Sequence, residues 1–478
     1  MELTHVAILP SPGLGHLIPL FELAKRLVVH HSIHVSFLVI KTNEATAAQE
    51  QLLRLPTLPS GLDVVDLPLV DVSAITSDDI TILARLSVIV EESLKSLKSV
   101  LTGLAFGKPS ALVIDLFCTQ AFQICNDLSI PTYSLFTPSV TFLAFSLYLP
   151  TLDREVEGEF IDLPESILIP GCSSVRPEDL LDQVRNRKID EYKWFFFHIS
   201  RLPLAAGIFL NSWEDLEPVS FKAIREHQFY LQIPTPPIYP IGPLVKQDEP
   251  LTVSDEEYLT WLDKQPSDSV LFVALGSGGT LSAEQLAEMA WGLELSKQRF
   301  IWVVRKPSDA TAATFFNVGS DINDPKAYLP EGFLERTQGV GIVVSSWAQQ
   351  VTVLRHKSTG GFLSHCGWNS SLDSICNGVP IIAWPMYAEQ KMNASLLTEE
   401  IGVAVKPVIE TGKKVIGQEE ISRVVRLVME SEEGKVMRHK VKQLSQSASK
   451  VLEIGGSSFD MLARVAKKWK DDSKSICS

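Results

Sequence analysis

At 478 residues, 45% hydrophobic and 21% charged, the chain has the make-up of a globular protein, which excludes long disorder and a fibrous repeat. Its 43 Lys and Arg against 57 Asp and Glu leave a net charge of −14 without a basic run, which argues against nucleic acid or an anionic membrane as partner. Six cysteines, none in a C-x-x-C pair, argue against a zinc ribbon or disulfide framework and fit a reducing compartment.

The apolar run at the N-terminus is cut by Pro10, Pro12 and Gly13 and lacks a cationic start, so it does not read as a signal peptide. No stretch of about 18 uncharged apolar residues suggests a membrane span. The expectation is a soluble, cytoplasmic enzyme. The length allows roughly three domains of ordinary size, but large α/β enzymes fill it with two.

His5 to Pro10 predicts a strand, Ser11 to His16 a turn, Leu17 to Val29 a helix and Ile33 to Ile40 a second strand. That order is a parallel βαβ unit. Ala111 to Ile114 predicts a buried strand feeding Asp115, Gln120 to Leu128 a helix, and Thr132 to Phe136 and Gly207 to Asn211 further strands. Six prolines crowd between Ile233 and Val253, which reads as a linker because proline interrupts helices and central strands. The pattern then restarts. Val270 to Leu275, Phe300 to Val304 and Gly341 to Val344 predict strands, and Ser282 to Leu295 a helix opened by a Ser282/Gln285 capping box. Ala310 to Pro325 is polar and aperiodic, as in a mobile surface loop, and Ser457 to Lys470 predicts a helix.

The predicted fold class is α/β, with two doubly wound Rossmann-like domains facing across a cleft. Residues 1–243 form the first domain, 244–255 the linker, 256–456 the second domain, and 457–478 a helix returning to the first.

The segment Ser358 to Asp373 carries the strongest chemical signal. A strand running into His365 and a helix from Ser370 place His365, Gly367, Asn369 and Ser370 at a helix N-terminus. Free N–H groups and the helix dipole there suit a diphosphate. Asp373, one turn further in, can accept from ribose hydroxyls. His16 and Asp115 each follow a strand, on the carboxyl edge where such sheets bind ligands. A histidine oriented by a carboxylate can take a proton from a hydroxyl.

Together with Trp347-Ala-Gln-Gln350 upstream and Trp384 to Gln390 downstream, the segment resembles the signature box of plant family-one UDP-dependent glycosyltransferases. The resemblance covers the whole chain and looks closest to the enzymes that glucosylate hydroquinone, indoxyl and chlorophenols. It implies a GT-B fold and roles for matching positions. Trp347 would stack on uracil, with Ala348 and Gln350 reading base and ribose and Asp373 holding the ribose. Ser277, His365, Asn369 and Ser370 would bind the diphosphate. Trp368, Glu389 and Gln390 would hold the sugar, with Gln390 both donating and accepting and favouring glucose over galactose. His16 would be the base and Asp115 its partner.

Phe117, Phe136, Phe142 and Phe196 are candidates for an aromatic acceptor pocket. Within Trp194 to Phe197, one side of a buried helix is an equally good reading. Gln349 stands where proline is common, which should loosen the loop after Trp347, and Asp373 stands where glutamate is common.

The implied reaction is inverting transfer of glucose from UDP-glucose to a small phenolic or indolic hydroxyl. It needs no metal and no cofactor beyond the donor, and a monomer suffices. Alternatives are the same chemistry on a flavonoid-sized acceptor, a UDP-sugar epimerase, a nicotinamide dehydrogenase and a binding protein without turnover. The dehydrogenase is disfavoured because neither Gly13-x-Gly15 nor Gly276-x-Gly278 completes G-x-G-x-x-G. Intact His16 and Asp115 argue against the binding protein.

Overall fold

The computed structural model describes residues 4–42, 52–53, 58–72, 75–76, 80–246, 253–309, 324–345 and 347–477. Two compact units divide it: residues 1–245 with 450–478, and residues 246–449.

Unit 1 is built on a seven-stranded sheet: β1 (His5–Leu9), β2 (His34–Val39), β3 (Leu62–Asp66), β4 (Ala111–Asp115), β5 (Thr132–Phe136), β6 (Gly207–Leu210) and β7 (Ile238–Pro240). All pairs are parallel, in the order β3-β2-β1-β4-β5-β6-β7. β1 and β4 are fully buried, as in a sheet covered on both faces, which is why they read as unbroken apolar runs. The order reverses between β1 and β4, the switch point at which open α/β sheets bind ligands. β1 runs into the helix Leu14–His31, so His16 lies in that helix's first turn, and Asp115 ends the neighbouring strand.

Unit 2 repeats the plan with six strands: β8 (Val270–Ala274), β9 (Arg299–Val304), β10 (Gly341–Ser345), β11 (Thr359–Ser364), β12 (Ile381–Ala383) and β13 (Ala404–Val405). Their order is β10-β9-β8-β11-β12-β13, again all parallel. Its switch point falls between β8 and β11. The Gly276 turn follows the first and His365 the second.

Two expectations change. The proline-rich stretch is not all linker: Ile238–Pro240 is β7, an edge strand on β6. Proline is tolerated at a sheet edge, where one side of the strand needs no partner. Residues 247–252 of the expected linker lie outside the described residues. The capping box is half formed. Ser282 Oγ accepts from Gln285 N at 3.2 Å, but the Gln285 side chain instead exchanges two hydrogen bonds with the Ile416 backbone. Residues 310–323 of the expected loop also lie outside the described residues, and Pro325–Tyr328 forms a short 3-10 helix.

The last helix, Ser457–Cys477, buries Trp469 in the core of unit 1, with its ring 5.3 Å from Tyr133 and 6.0 Å from Phe209. Unit 1 takes up the chain again at Lys450, inside the helix Glu432–Leu452 and ahead of Ser457.

Candidate active site

At the switch point of unit 1, His16 Nδ1 lies 2.8 Å from Asp115 Oδ2. A carboxylate only accepts, so Nδ1 carries the proton and Nε2 is left as the basic nitrogen. Asp115 is fully buried, and its other oxygen accepts from Ser11 Oγ at 2.8 Å and from the Phe117 N–H at 2.9 Å. Burial alone would raise the Asp115 pKa. The adjacent His16 and these hydrogen bonds outweigh it and hold the carboxyl below its ordinary value. Asp115 is therefore charged at neutral pH and oriented by three groups. Thr137 Oγ1, at 3.5 Å from His16 Nδ1, completes the surround.

The acceptor candidates separate. The Phe117 ring lies 5.2 Å from the His16 ring and is part-exposed. Its other neighbour, His198, is fully buried, held between Ser87 Oγ at 3.0 Å and Thr119 Oγ1 at 2.8 Å. Burial pushes the His198 pKa down to about 3, so it stays neutral. Phe136, Phe142 and Phe195 form a buried aromatic cluster. Phe136 is 0% exposed and offers a ligand no surface, which corrects its assignment to the pocket lining; it supports Phe142 instead. Phe196 is part-buried and meets Tyr192 at 5.9 Å. The Trp194 to Phe197 run is thus split around the helix Asp190–Ile199.

At the switch point of unit 2, the His365 ring is wedged between two glycines. A Cβ at Gly276 or at Gly367 would come within 2.5 Å of it. Both positions need glycine for that close approach. Burial, and then the charge of Arg305, push the His365 pKa down to about 4. Its Nδ1 is buried and has no hydrogen-bond partner among the described residues. A buried polar atom left unpaired costs stability, which a bound ligand group can recover. Cys366 follows with φ 63, a strained conformation of the sort that persists at functional sites.

The helix Trp368–Cys376 begins two residues ahead of the expected start, so Asn369 and Ser370 sit in its first turn. There Gln350 Nε2 donates to Ser370 Oγ at 3.0 Å and to Asp373 Oδ2 at 2.7 Å, bringing three predicted donor residues together. Trp347 is 37% exposed and Ala348 is buried. Trp368 is buried at the start of the helix.

Glu389 Oε1 accepts from Asn393 Nδ2 at 3.1 Å, and the same amide holds the Cys366 carbonyl at 2.9 Å. Gln390 Oε1 accepts from the N–H groups of Met386 and Tyr387, both at 3.0 Å. Its oxygen is therefore committed, and toward a sugar Gln390 offers N–H donors alone, not both functions as expected. Ser277 lies in the turn after β8, where its carbonyl accepts from Arg305 at 2.6 Å. Arg305 escaped the sequence reading; its position just past β9, on the ligand-binding edge, was the available signal. The expected loosening at Gln349 is also corrected: its N–H donates to Tyr258 Oη at 3.0 Å, a bond proline cannot make.

Among the described residues no group of three or more His, Cys, Asp or Glu is arranged to hold a metal, and no helix is long and apolar enough to cross a membrane.

Two parallel Rossmann-like units, one with a histidine–carboxylate pair and one with a nucleotide-type helix terminus, define an enzyme of the GT-B class. Sequence comparison makes the class specific. Residues 158–448 match the family described as UDP-glucoronosyl and UDP-glucosyl transferase. Hydroquinone glucosyltransferase of Rauvolfia serpentina is 46% identical over 470 residues, covering 98% of each chain. Anthocyanidin 3-O-glucosyltransferase 5 of Manihot esculenta is 44% identical over 98% of this chain and 95% of its own. Among solved structures, a Polygonum tinctorium UDP-glucosyltransferase capable of glucosylating indoxyl, in complex with 3,4-dichloroaniline, aligns with TM-score 0.88 at 42% identity. That alignment covers 98% of this chain and 99% of the other. The chain belongs to the plant family-one UDP-dependent glycosyltransferases.

Proposed function

We propose that this enzyme transfers glucose from UDP-glucose to the hydroxyl of a small aromatic acceptor, such as hydroquinone or indoxyl, with inversion to the β-glucoside. The observation that carries the reading is the His16–Asp115 pair, an imidazole whose Nδ1 is held by a buried carboxylate. His16 Nε2 takes the acceptor proton as the acceptor oxygen bonds to the anomeric carbon. The bond from that carbon to the diphosphate oxygen breaks, and UDP leaves. Asp115 balances the charge that forms on the imidazole.

His365, Asn369 and Ser370 at the terminus of the helix Trp368–Cys376 would take the charge on the leaving diphosphate, the role a divalent ion has elsewhere, so the reaction is proposed to be metal-independent. The unpartnered Nδ1 of His365 supports this assignment. Trp347 and the Gln350–Asp373 pair would hold the uridine, with Trp368, Glu389 and Gln390 at the sugar.

Phe117 supports an aromatic acceptor, because its ring borders the base and can stack on a flat substrate. An aryl hydroxyl also gives up its proton to imidazole more readily than an alkyl one. The Manihot relative, named for an anthocyanidin substrate, favours a second reading in which the acceptor is flavonoid-sized. Six cysteines without a C-x-x-C pair support a reducing, cytoplasmic location, and we propose a monomer.

The test is UDP release with UDP-glucose and each of hydroquinone, indoxyl, coniferyl alcohol, a flavonol and a sterol, with the product's anomeric configuration read by NMR. The account expects the small phenols to lead and a β-glucoside to form. A flavonol or sterol ahead by tenfold or more, about 1.4 kcal/mol of transition-state preference, contradicts the small-acceptor reading.

A further inference from the structure

We propose that Tyr258 is a positioning residue for the donor's base, clamping the backbone of Gln349 and so holding the Trp347–Gln350 loop in the shape that receives uracil. This rests on the donor assignment made above. Tyr258 lies on the helix Val253–Asp263, 91 residues ahead of the loop in sequence, and is 1% exposed. Its hydroxyl is used in both directions: Oη accepts from Gln349 N at 3.0 Å and donates to the buried Asp255 Oδ1 at 2.5 Å.

The clamped residue lies between two donor contacts. On one side is the exposed Trp347; on the other is Gln350, whose amide reaches Asp373. A change of backbone angle at Gln349 would move the stacking ring relative to the ribose pair. Gln349 holds φ −70, an angle the proline ring imposes covalently. In this chain a hydrogen bond does what the ring would do. The two devices are alternatives, because proline has no N–H to give to Tyr258.

The experiment is calorimetric titration with UDP of the full chain as wild type, Tyr258→Phe, Gln349→Pro, the double variant, Gln349→Ala as side-chain control, and Trp347→Ala. Tyr258→Phe keeps the buried ring and removes only the hydroxyl. It should weaken UDP about three- to tenfold, the range of one buried hydrogen bond, with kcat at saturating UDP-glucose unchanged. Gln349→Pro should be neutral or weakening in the Tyr258 protein, yet restore affinity in the Tyr258→Phe background; Gln349→Ala should restore nothing. A loss of packing alone gives no such rescue. Wild-type affinity in Tyr258→Phe, or the same effect of proline in both backgrounds, overturns the inference. No UDP uptake by the wild type, or full affinity in Trp347→Ala, overturns the donor assignment itself and this inference with it.

Discussion

The two units carry their chemistry at the same topological place and in opposite states. Between β1 and β4 every polar group of the His16–Asp115 pair that catalysis needs oriented is already engaged: Asp115 accepts from His16, Ser11 and the Phe117 backbone. Between β8 and β11 the central histidine is buried, neutral and, among the described residues, without a partner at Nδ1. The first site is complete in itself, as suits a base that must be aligned before substrate arrives. In the second, that one buried nitrogen is open to a ligand group. Under the proposed function, one fold carries a preorganised base at one switch point and a receptor at the other, and the difference lies in a few side chains on the turns.

Separate substitutions can break that division of labour. The largest effect is expected from His16→Ala, which should lower kcat by about 10²- to 10⁴-fold, the usual cost of removing a general base. Activity close to wild type on a weakly acidic acceptor would contradict the assignment. Asp115→Asn should cost less, because the amide can still orient the ring but cannot balance its charge; the ratio of the two kcat losses is the measurement.

Gln390, confined to donating by its own turn, sharpens the picture of the receptor site. UDP-glucose should be used in preference to UDP-galactose, and equal kcat/KM for the two donors would sink the sugar assignment.

The smallest effect is on stability. His365 and His198 have pKa values near 4 and 3 when folded, against about 6.5 unfolded. The unfolded chain therefore binds more protons below pH 6.5, and stability present above that pH should be lost progressively as pH falls toward 4. The carboxyl of Asp115, depressed instead, should add its share only as pH falls below about 3.8. Melting temperatures from pH 7.5 to 4.5 should decline from near 6.5, and His365→Gln should flatten the slope. A flat wild-type profile down to pH 4.5 would show that these histidines are not held neutral.

What the sequence made legible follows from how far apart the interacting residues lie. The donor segment could be read because β11, the His365 turn and the following helix are contiguous, so strand, turn and cap leave their marks in one short stretch. His16 and Asp115 could be placed because each ends a recognisable strand. The partners that complete them were not visible: Ser11 meets Asp115 across 104 residues, and Thr137 meets His16 across 121. Arg305 and Tyr258 are ordinary residues in sequence, and their roles arise only when β9 and the helix Val253–Asp263 are packed beside the donor turns. β7 was hidden because its prolines argue against a strand everywhere except at an edge. Phe136 misled because aromatic composition does not say which ring faces a ligand and which supports it.

Calorimetric titration with UDP of the wild type, His16→Ala and His365→Ala tests the division between the two switch points most directly. The account predicts that His16→Ala binds UDP as the wild type does. It predicts that His365→Ala binds about tenfold to a hundredfold more weakly, the value of one hydrogen bond to a charged group. A loss of UDP affinity in His16→Ala as large as in His365→Ala, or none in His365→Ala, would contradict it.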